Sequence, residues 1–217
     1  MARACARFGR RELLAIAAGL LVLHSLGALA PAAASDRTPE QVVQGLAQDI
    51  WATLNTDGVD GSGRIDELLS LLEAHTDVDL ISRLALGRYW SRLPEAQQKD
   101  YQQLFRDVVI RSLARRLDGY ATQARGPLEQ RFQIVSSAPA GEKDTLVRSR
   151  VVPRDGPSLT LDWRLRDGPS GPLIIDLIVE GASLLVAQRS EFAAVIERNH
   201  LDGLLTELRA RAESTRS

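Results

Sequence analysis

The sequence offers very little thiol or imidazole chemistry. Its single cysteine, Cys5, lies near the start of the chain, and of its three histidines only His75 and His200 lie beyond residue 34. One cysteine cannot form an intramolecular disulfide, and two histidines are too few for a histidine-rich metal site. For the main part of the chain we therefore expect no disulfide, no thiol catalysis and no histidine-rich metal site. No residue is predicted to bind a metal, and no cofactor is predicted.

The chain also lacks an excess of basic charge. It has 27 lysines and arginines against 28 aspartates and glutamates, and four of the arginines and one of the glutamates fall in the first 34 residues. The residues that follow carry a net charge of −4. A domain that binds nucleic acid normally presents a net basic surface, so we expect no nucleic-acid partner.

Long uninterrupted apolar runs are missing too. The longest apolar stretch, residues 13–30, contains two polar residues, and its unbroken part falls short of the roughly 20 residues that a transmembrane helix needs. Arginines precede this stretch and three alanines follow it, which is the pattern of a cleaved export signal. We predict a signal peptide over residues 1–34. The adjacent Arg10 and Arg11 leave twin-arginine and general export both open.

Residues 35–217 are then long enough for one domain with its own core. Apolar residues recur every three or four positions across residues 38–120, beginning with a Thr38-Pro39 helix start. The longest such pattern runs from Leu93 to about residue 120. Two helices are predicted again over residues 183–211, one near residues 183–199 and one near residues 202–211.

Between residues 130 and 180 the period changes to two, as in the strands of a half-buried sheet. The clearest case has apolar residues at positions 159, 161, 163 and 165 with polar residues between them. Turn-forming prolines and glycines separate the segments, so the strands are expected to pair antiparallel. We predict four strands, over residues 132–137, 145–152, 158–166 and 173–179.

The predicted fold class is α+β, a four-stranded antiparallel sheet with helices packed on one face and enclosing an apolar cavity. Residues 172–195 suggest the cavity, because a buried strand, a tight corner and a returning helix can wall off an apolar space. An aliphatic lining there would suit a hydrocarbon ligand. A filled core would have the same composition.

Two motifs resemble a calcium loop and a nucleophile elbow but lack residues that these sites require. The glycine-rich loop after the first helix lacks carboxylates at the first and twelfth positions of a calcium loop. Gly181-Ala182-Ser183 lacks the second glycine of a nucleophile elbow, so Ser183 is predicted to cap a helix. Asp176, an acid inside an apolar strand, is either a pocket acid with a raised pKa or, as we favour, an anchor for an arginine or for backbone amides.

A set of short segments spread over about residues 38–211 occurs in a distinctive order. The strongest is Ile175-Asp176-Leu177-Ile178-Val179-Glu180-Gly181-Ala182-Ser183-Leu184, and the others lie within residues 86–90, 97–105, 114–120, 188–192 and 202–205. Together these segments resemble the MlaC family of periplasmic phospholipid carriers. The chain departs from the family at Pro172-Leu173, where a tryptophan is usual, and in having Gly-Ala-Ser where Gly-Val-Ser is usual.

The resemblance implies a soluble periplasmic shuttle that is not an enzyme. Such proteins hold the acyl chains of a phospholipid between the sheet and the helices and leave the head group near the mouth. They exchange the lipid with an inner-membrane ABC transporter complex and an outer-membrane lipoprotein–porin complex. We expect a monomer with these transient partners. A related hopanoid-associated group leaves a polycyclic lipid open as the cargo.

Pattern and resemblance together predict the residues that line a lipid site, drawn from the third strand, the central strand and the helices. They are Leu84, Phe105, Val109, Leu113, Leu161, Trp163, Leu165, Ile174, Ile178, Leu185 and Phe192. No catalytic residue is predicted.

Two alternatives from other functional classes stay open. One is a hydrolase acting on a lipid or cell-wall substrate through Asp176 and an arginine such as Arg189. The other is an adaptor that binds protein and has a filled core.

Overall fold

A computed structural model describes residues 37–216 apart from residues 57–59, 123, 125 and 155. The predicted signal peptide lies outside the described residues. The first part of the domain is helical: α1 Pro39–Asn55, α2 Gly61–His75, α3 Val78–Leu86, a 3₁₀ turn Gly87–Arg92, α4 Glu95–Phe105, a π turn Arg106–Ile110 and α5 Arg111–Asp118. Among the helices that the structure describes, none is long and apolar enough to span a bilayer.

Side chains cap the starts of the first three helices. Thr38 Oγ1 accepts a hydrogen bond from the N–H of Gln41, and the Gln41 side chain accepts one from the N–H of Thr38 at 2.8 Å. Asp60 and Asp77 each accept from a backbone N–H three residues ahead, at 2.7 and 2.9 Å. These contacts satisfy N–H groups that have no partner within the helix, which explains where α1, α2 and α3 begin.

A five-stranded antiparallel sheet follows, in the order β1-β2-β3-β4-β5. A 3₁₀ turn Leu128–Gln130 precedes it, and its strands are β1 Phe132–Pro139, β2 Asp144–Val151, β3 Leu159–Gly168, β4 Gly171–Val179 and β5 Ala182–Ser183. The predicted number of four strands was wrong by one. The missed strand has two residues, too few to show a period in the sequence.

The corner between β4 and β5 is a two-residue turn. Glu180 (φ 48°) and Gly181 (φ 81°) both have positive φ, as the tightest hairpin turns require. Ile178 then pairs with Ser183, and Val179 with Ala182. The segment predicted to break the central strand therefore forms a hairpin before the last helix begins.

The last element, α6 Leu184–Arg216, consists of two helical halves that meet at His200. The backbone of His200 (φ 61°, ψ 179°) is not helical. We call residues 184–199 the first half and residues 201–216 the second half. The sequence pattern predicted two separate helices here, and the break between them falls where it was expected.

Two apolar clusters hold the helices and the sheet together. In the helical cluster, the rings of Tyr101, Phe105 and Phe192 pack edge to face or tilted, with centroids 6.1 to 6.3 Å apart. In the second cluster, Val43 and Leu46 of α1 pack on the sheet, where Trp163 is one of the buried residues. The first layer of helices thus covers the apolar face of β3.

The opposite face of the sheet carries ion pairs. Arg148 of β2 pairs with Asp162 of β3 at 2.7 Å, and Asp144 accepts hydrogen bonds from Arg164 and Arg166, each at 2.6 Å. Cross-strand pairs of opposite charge stabilise a solvated sheet face. The alternation along β3 therefore separates an apolar face from a charged one, as predicted.

Candidate functional site

A pocket of about 480 Å³ lies among the helices and the sheet. This volume is within the range of roughly 300–1,000 Å³ that is usual for small-molecule sites. The helices before the sheet contribute Leu46, Ile50, Leu72, Thr76, Ile81, Phe105, Val108, Val109, Ile110, Ser112, Leu113, Arg116 and Leu117. The sheet contributes Trp163, Ile174, Ile175, Asp176 and Leu177, and α6 contributes Leu184, Leu185, Ala187, Gln188, Glu191, Phe192, Leu208 and Arg211.

Burial separates this lining into a deep, mostly apolar part and an exposed part, which we call the rim. Phe105, Phe192 and Leu208 are at most 2 % exposed. The side chains at the rim are instead exposed, and they include the charged ones Arg116, Glu191 and Arg211. The buried part is apolar except for Asp176, and the remaining charged side chains lie at the exposed edge. This arrangement matches an amphiphile with an apolar body and a charged end.

One wall of the pocket follows α4, the π turn and α5. Phe105, Val109 and Leu113 are four residues apart, so they lie along one side of a helix. Three successive residues of the π turn, Val108, Val109 and Ile110, line the pocket. π turns within α-helices occur frequently at functional sites. The sequence predicted the helix but not this turn.

The floor of the pocket follows β4, where a β-bulge interrupts the alternation of side chains. Asp176 lies opposite Arg164, but Ile174 lies opposite Leu165, so Ile175 is an extra residue on β4. Four successive residues, 174 to 177, consequently line the pocket. A bulge bends the strand that carries it, and this one lies in the part of β4 that lines the pocket.

The link between α2 and α3 is fastened to this floor. Thr76 forms a parallel bridge with Ile174, and the N–H of Asp77 donates to the carbonyl oxygen of Ile174 at 3.0 Å. Thr76 also lines the pocket. Backbone hydrogen bonds therefore fix one side of the pocket, between the helical part and β4.

Asp176 anchors the start of α6. Its Oδ2 accepts a hydrogen bond from Ser183 Oγ at 2.6 Å, and its Oδ1 accepts one from the N–H of Leu185 at 3.0 Å. Ser183 Oγ in turn accepts from the N–H of Val186 at 3.0 Å. The predictions that Ser183 caps a helix and that Asp176 anchors backbone amides at the corner are both confirmed.

Arg189, which the hydrolase alternative pairs with Asp176, makes a different contact. Its Nε donates to the carbonyl oxygen of Leu84 at 2.8 Å, which ties α6 to the end of α3. Both carboxylate oxygens of Asp176 already accept hydrogen bonds from the corner and from α6. The burial of this acid is therefore explained by its structural role.

At the rim, an ion pair joins the two halves of α6. Arg211 of the second half lies 3.1 Å from Glu191 of the first half, and it also pairs with Glu207 one helical turn before it. Gln188 Nε2 donates to Glu191 at 3.3 Å. Arg116 of α5 also lines the pocket, and its guanidinium forms no ion pair or hydrogen bond among the described residues.

Seven of the predicted lining residues border the pocket. They are Phe105, Val109, Leu113, Trp163, Ile174, Leu185 and Phe192. That these side chains contact a ligand stays a prediction.

Four predicted residues lie outside the pocket: Leu84, Leu161, Leu165 and Ile178. Leu161 and Leu165 belong to the cluster beneath α1. Ile178 lies opposite Asp162, and residues opposite each other on paired strands point to the same face, so Ile178 is on the charged face. The β-bulge at Ile175 causes this, since an extra residue reverses the alternation that placed Ile174 and Ile178 together.

Sequence reasoning missed the charged rim. Arg116 lies three residues after Leu113, so a helical projection that starts from Leu113 includes it. Glu191 directly precedes the predicted lining residue Phe192. Arg211 reaches the pocket only because α6 changes direction at His200. No local pattern indicates that return.

Comparisons with known proteins agree with this architecture. Residues 40–210 match the family model described as MlaC protein. A solved structure from Ralstonia solanacearum, a phospholipid-binding protein in complex with a phospholipid, is similar to this chain at 25% sequence identity. The match covers 81% of this chain and 97% of that one, with a TM-score of 0.66.

Proposed function

The chain belongs to the MlaC family, and from this premise we propose that it carries one phospholipid with its acyl chains in the pocket between the helices and the sheet. The observation that supports this most directly is the separation of the lining by burial. Aromatic and aliphatic side chains form the buried part apart from Asp176, whose carboxylate is bound by Ser183 and Leu185. The other charged side chains of the lining are exposed at the rim. The phospholipid bound to the Ralstonia protein supports the choice of ligand class.

The driving force for binding is the transfer of hydrocarbon out of water. Each buried methylene contributes about 0.8 kcal/mol without any directional requirement. The lining residues of the π turn, Val108, Val109 and Ile110, and those at the start of α6, Leu184 and Leu185, offer many such contacts. The site therefore binds by non-covalent burial, and no reaction step is proposed.

The proposed physiological role is transport across the periplasm. We propose that the exported domain, residues 35–217, is a monomer that exchanges its lipid with an inner-membrane ABC transporter complex and an outer-membrane lipoprotein complex. Membership of the MlaC family supports this role. Exchange requires a path to the deep pocket, and a partial separation of the two halves of α6 at the rim would provide one.

Lipid mass spectrometry on the full chain, expressed with its leader in a bacterial host and purified without detergent, tests the proposal. We expect about one phospholipid per protein, and uptake of labelled phospholipid from vesicles by delipidated protein. Protein that is purified free of lipid and takes up none would overturn it.

A matched pair of variants tests whether the lipid binds in this pocket. Val109→Trp fills the space beside the π turn, whereas Val135→Trp makes the same change at a side chain that is 53% exposed on β1. We expect severalfold less bound lipid in V109W and unchanged binding in V135W, with both variants folded by circular dichroism. Equal lipid content in the two variants would mean that the lipid lies elsewhere.

A further inference from the structure

The two arginines that line the pocket differ in their electrostatic surroundings. Arg211 is neutralised by Glu191 and Glu207. Arg116 is exposed at the rim, and no acidic side chain in the described part of the chain pairs with it. Of the two arginines that line the pocket, Arg116 is therefore the one without an ion-pair partner among the described residues.

Arg116 lies at the exposed end of the pocket wall that α4, the π turn and α5 form. Along α4, the π turn and α5, the lining begins at Phe105, which is 1% exposed, passes half-buried Val109 and Leu113, and ends at exposed Arg116. At about 1.5 Å per residue these eleven steps span about 16 Å. An amphiphile lying along this wall with its tails at Phe105 would place its polar end near Arg116.

The chemistry of a guanidinium narrows what that polar end can be. Arginine stays charged at physiological pH, and its planar fork of N–H groups matches two oxygens of a phosphate. Glycerophospholipids with a head-group substituent have a phosphodiester between this substituent and the glycerol. We propose that Arg116 binds this phosphodiester, so that the pocket selects phospholipids over uncharged lipids with the same tails.

This inference rests on the proposed function, since it assumes that acyl chains occupy the pocket. It adds a determinant that the apolar lining cannot supply, because hydrocarbon contacts do not distinguish a phospholipid from a diacylglycerol. It also predicts that binding does not depend on the head-group substituent beyond the phosphate. Because Arg116 is exposed, water and salt weaken the interaction, and we expect a preference of about three- to tenfold.

The test compares uptake of two labelled lipids with identical oleoyl tails, phosphatidylglycerol and diacylglycerol, from neutral vesicles into delipidated full-length protein. Arg116→Gln removes the charge, and Arg116→Lys keeps the charge without the planar fork. Arg198→Gln is the control, because Arg198 is an exposed arginine on α6 that does not line the pocket.

We expect wild-type protein and R198Q to prefer phosphatidylglycerol, R116Q to lose this preference, and R116K to retain part of it. Diacylglycerol uptake should be equal in all four proteins. If R116Q keeps the wild-type preference, the role of Arg116 is overturned while the carrier function stands. If the wild-type protein takes up neither lipid, the proposed function itself fails.

Discussion

Asp176 and Ser183 are joined by a 2.6 Å hydrogen bond that ties β4 to the start of α6. The other carboxylate oxygen of Asp176 accepts from the N–H of Leu185 at 3.0 Å. An asparagine at position 176 would keep one oxygen as an acceptor. Its amide NH₂ group would replace the other oxygen and face one of the two donors, the Ser183 hydroxyl or the N–H of Leu185. We therefore expect Asp176→Asn to lower the free energy of unfolding by about 1–3 kcal/mol, measured by urea denaturation.

Asp167→Asn is the matched control for this prediction, because Asp167 is an exposed acid near the end of β3. Its substitution should change the stability by less than about 0.5 kcal/mol. Equal urea midpoints for D176N and wild-type protein would show that Asp176 does not anchor α6.

The anchoring role of Asp176 could be predicted because its reasons are local. A carboxylate in an apolar strand needs partners, and the corner seven residues later supplies a hydroxyl and free helix N–H groups. The alternation along β3 was likewise predictable, because it depends on adjacent residues. In both cases the sequence pattern and the tertiary contacts agree.

The parts of the site that were not predicted depend on contacts between distant segments. The bulge at Ile175 is a property of the pairing between β3 and β4, and it moves Ile178 to the charged face. The local composition of Arg106–Ile110 does not distinguish the π turn from an ordinary α-helix, so the sequence alone did not indicate it. Arg211 reaches the pocket because α6 changes direction at His200, some ten residues earlier.

Asp144 should make the stability of the protein depend on acidic pH. Hydrogen bonds from Arg166 lower the pKa of Asp144, and those from Arg164 add to this effect against the opposing effect of burial. A folded-state pKa below the unfolded value means that the stabilisation is complete above about pH 4. It is lost as the pH falls through the folded-state pKa.

Substitution of Asp144 tests this dependence. Asp144→Asn should cost about 1–3 kcal/mol at neutral pH and give a shallower loss of stability in acid, followed as the urea midpoint across pH. Glu142→Gln, at an exposed residue just before β2, should keep the wild-type profile. A D144N profile parallel to that of the wild-type protein would contradict the assignment.

Gly203 is required by the geometry of the break in α6. A Cβ built at Gly203 overlaps the Cβ of Asn199 on the other side of His200. We expect Gly203→Ala to destabilise the protein by about 1–3 kcal/mol, because the two helical halves must shift to accommodate the methyl group. Urea denaturation measures this change directly.

The same substitution in α1 should have the opposite sign. A Cβ built at Gly45 has no neighbouring atom within 4 Å, so Gly45→Ala should stabilise the protein by up to about 1 kcal/mol through helix propensity. If G203A were as stable as G45A, the close approach at the break would not constrain the fold.

The ion pair between Glu191 and Arg211 should control how fast the proposed lipid cargo exchanges. This pair connects the two halves of α6 at the rim, so its loss frees the halves to separate there. Both side chains are about half exposed, and the stability change should stay within about 1 kcal/mol. We expect Glu191→Gln to accelerate the transfer of labelled phospholipid from protein to vesicles severalfold.

Glu207→Gln separates this effect from a general change at Arg211. Glu207 pairs with the same arginine but belongs to the same half of α6, so its substitution removes an ion pair without freeing one half from the other. We expect wild-type transfer rates for E207Q. If E191Q and E207Q transfer lipid equally fast, the rate depends on the charge around Arg211, and the two halves of α6 do not gate the pocket.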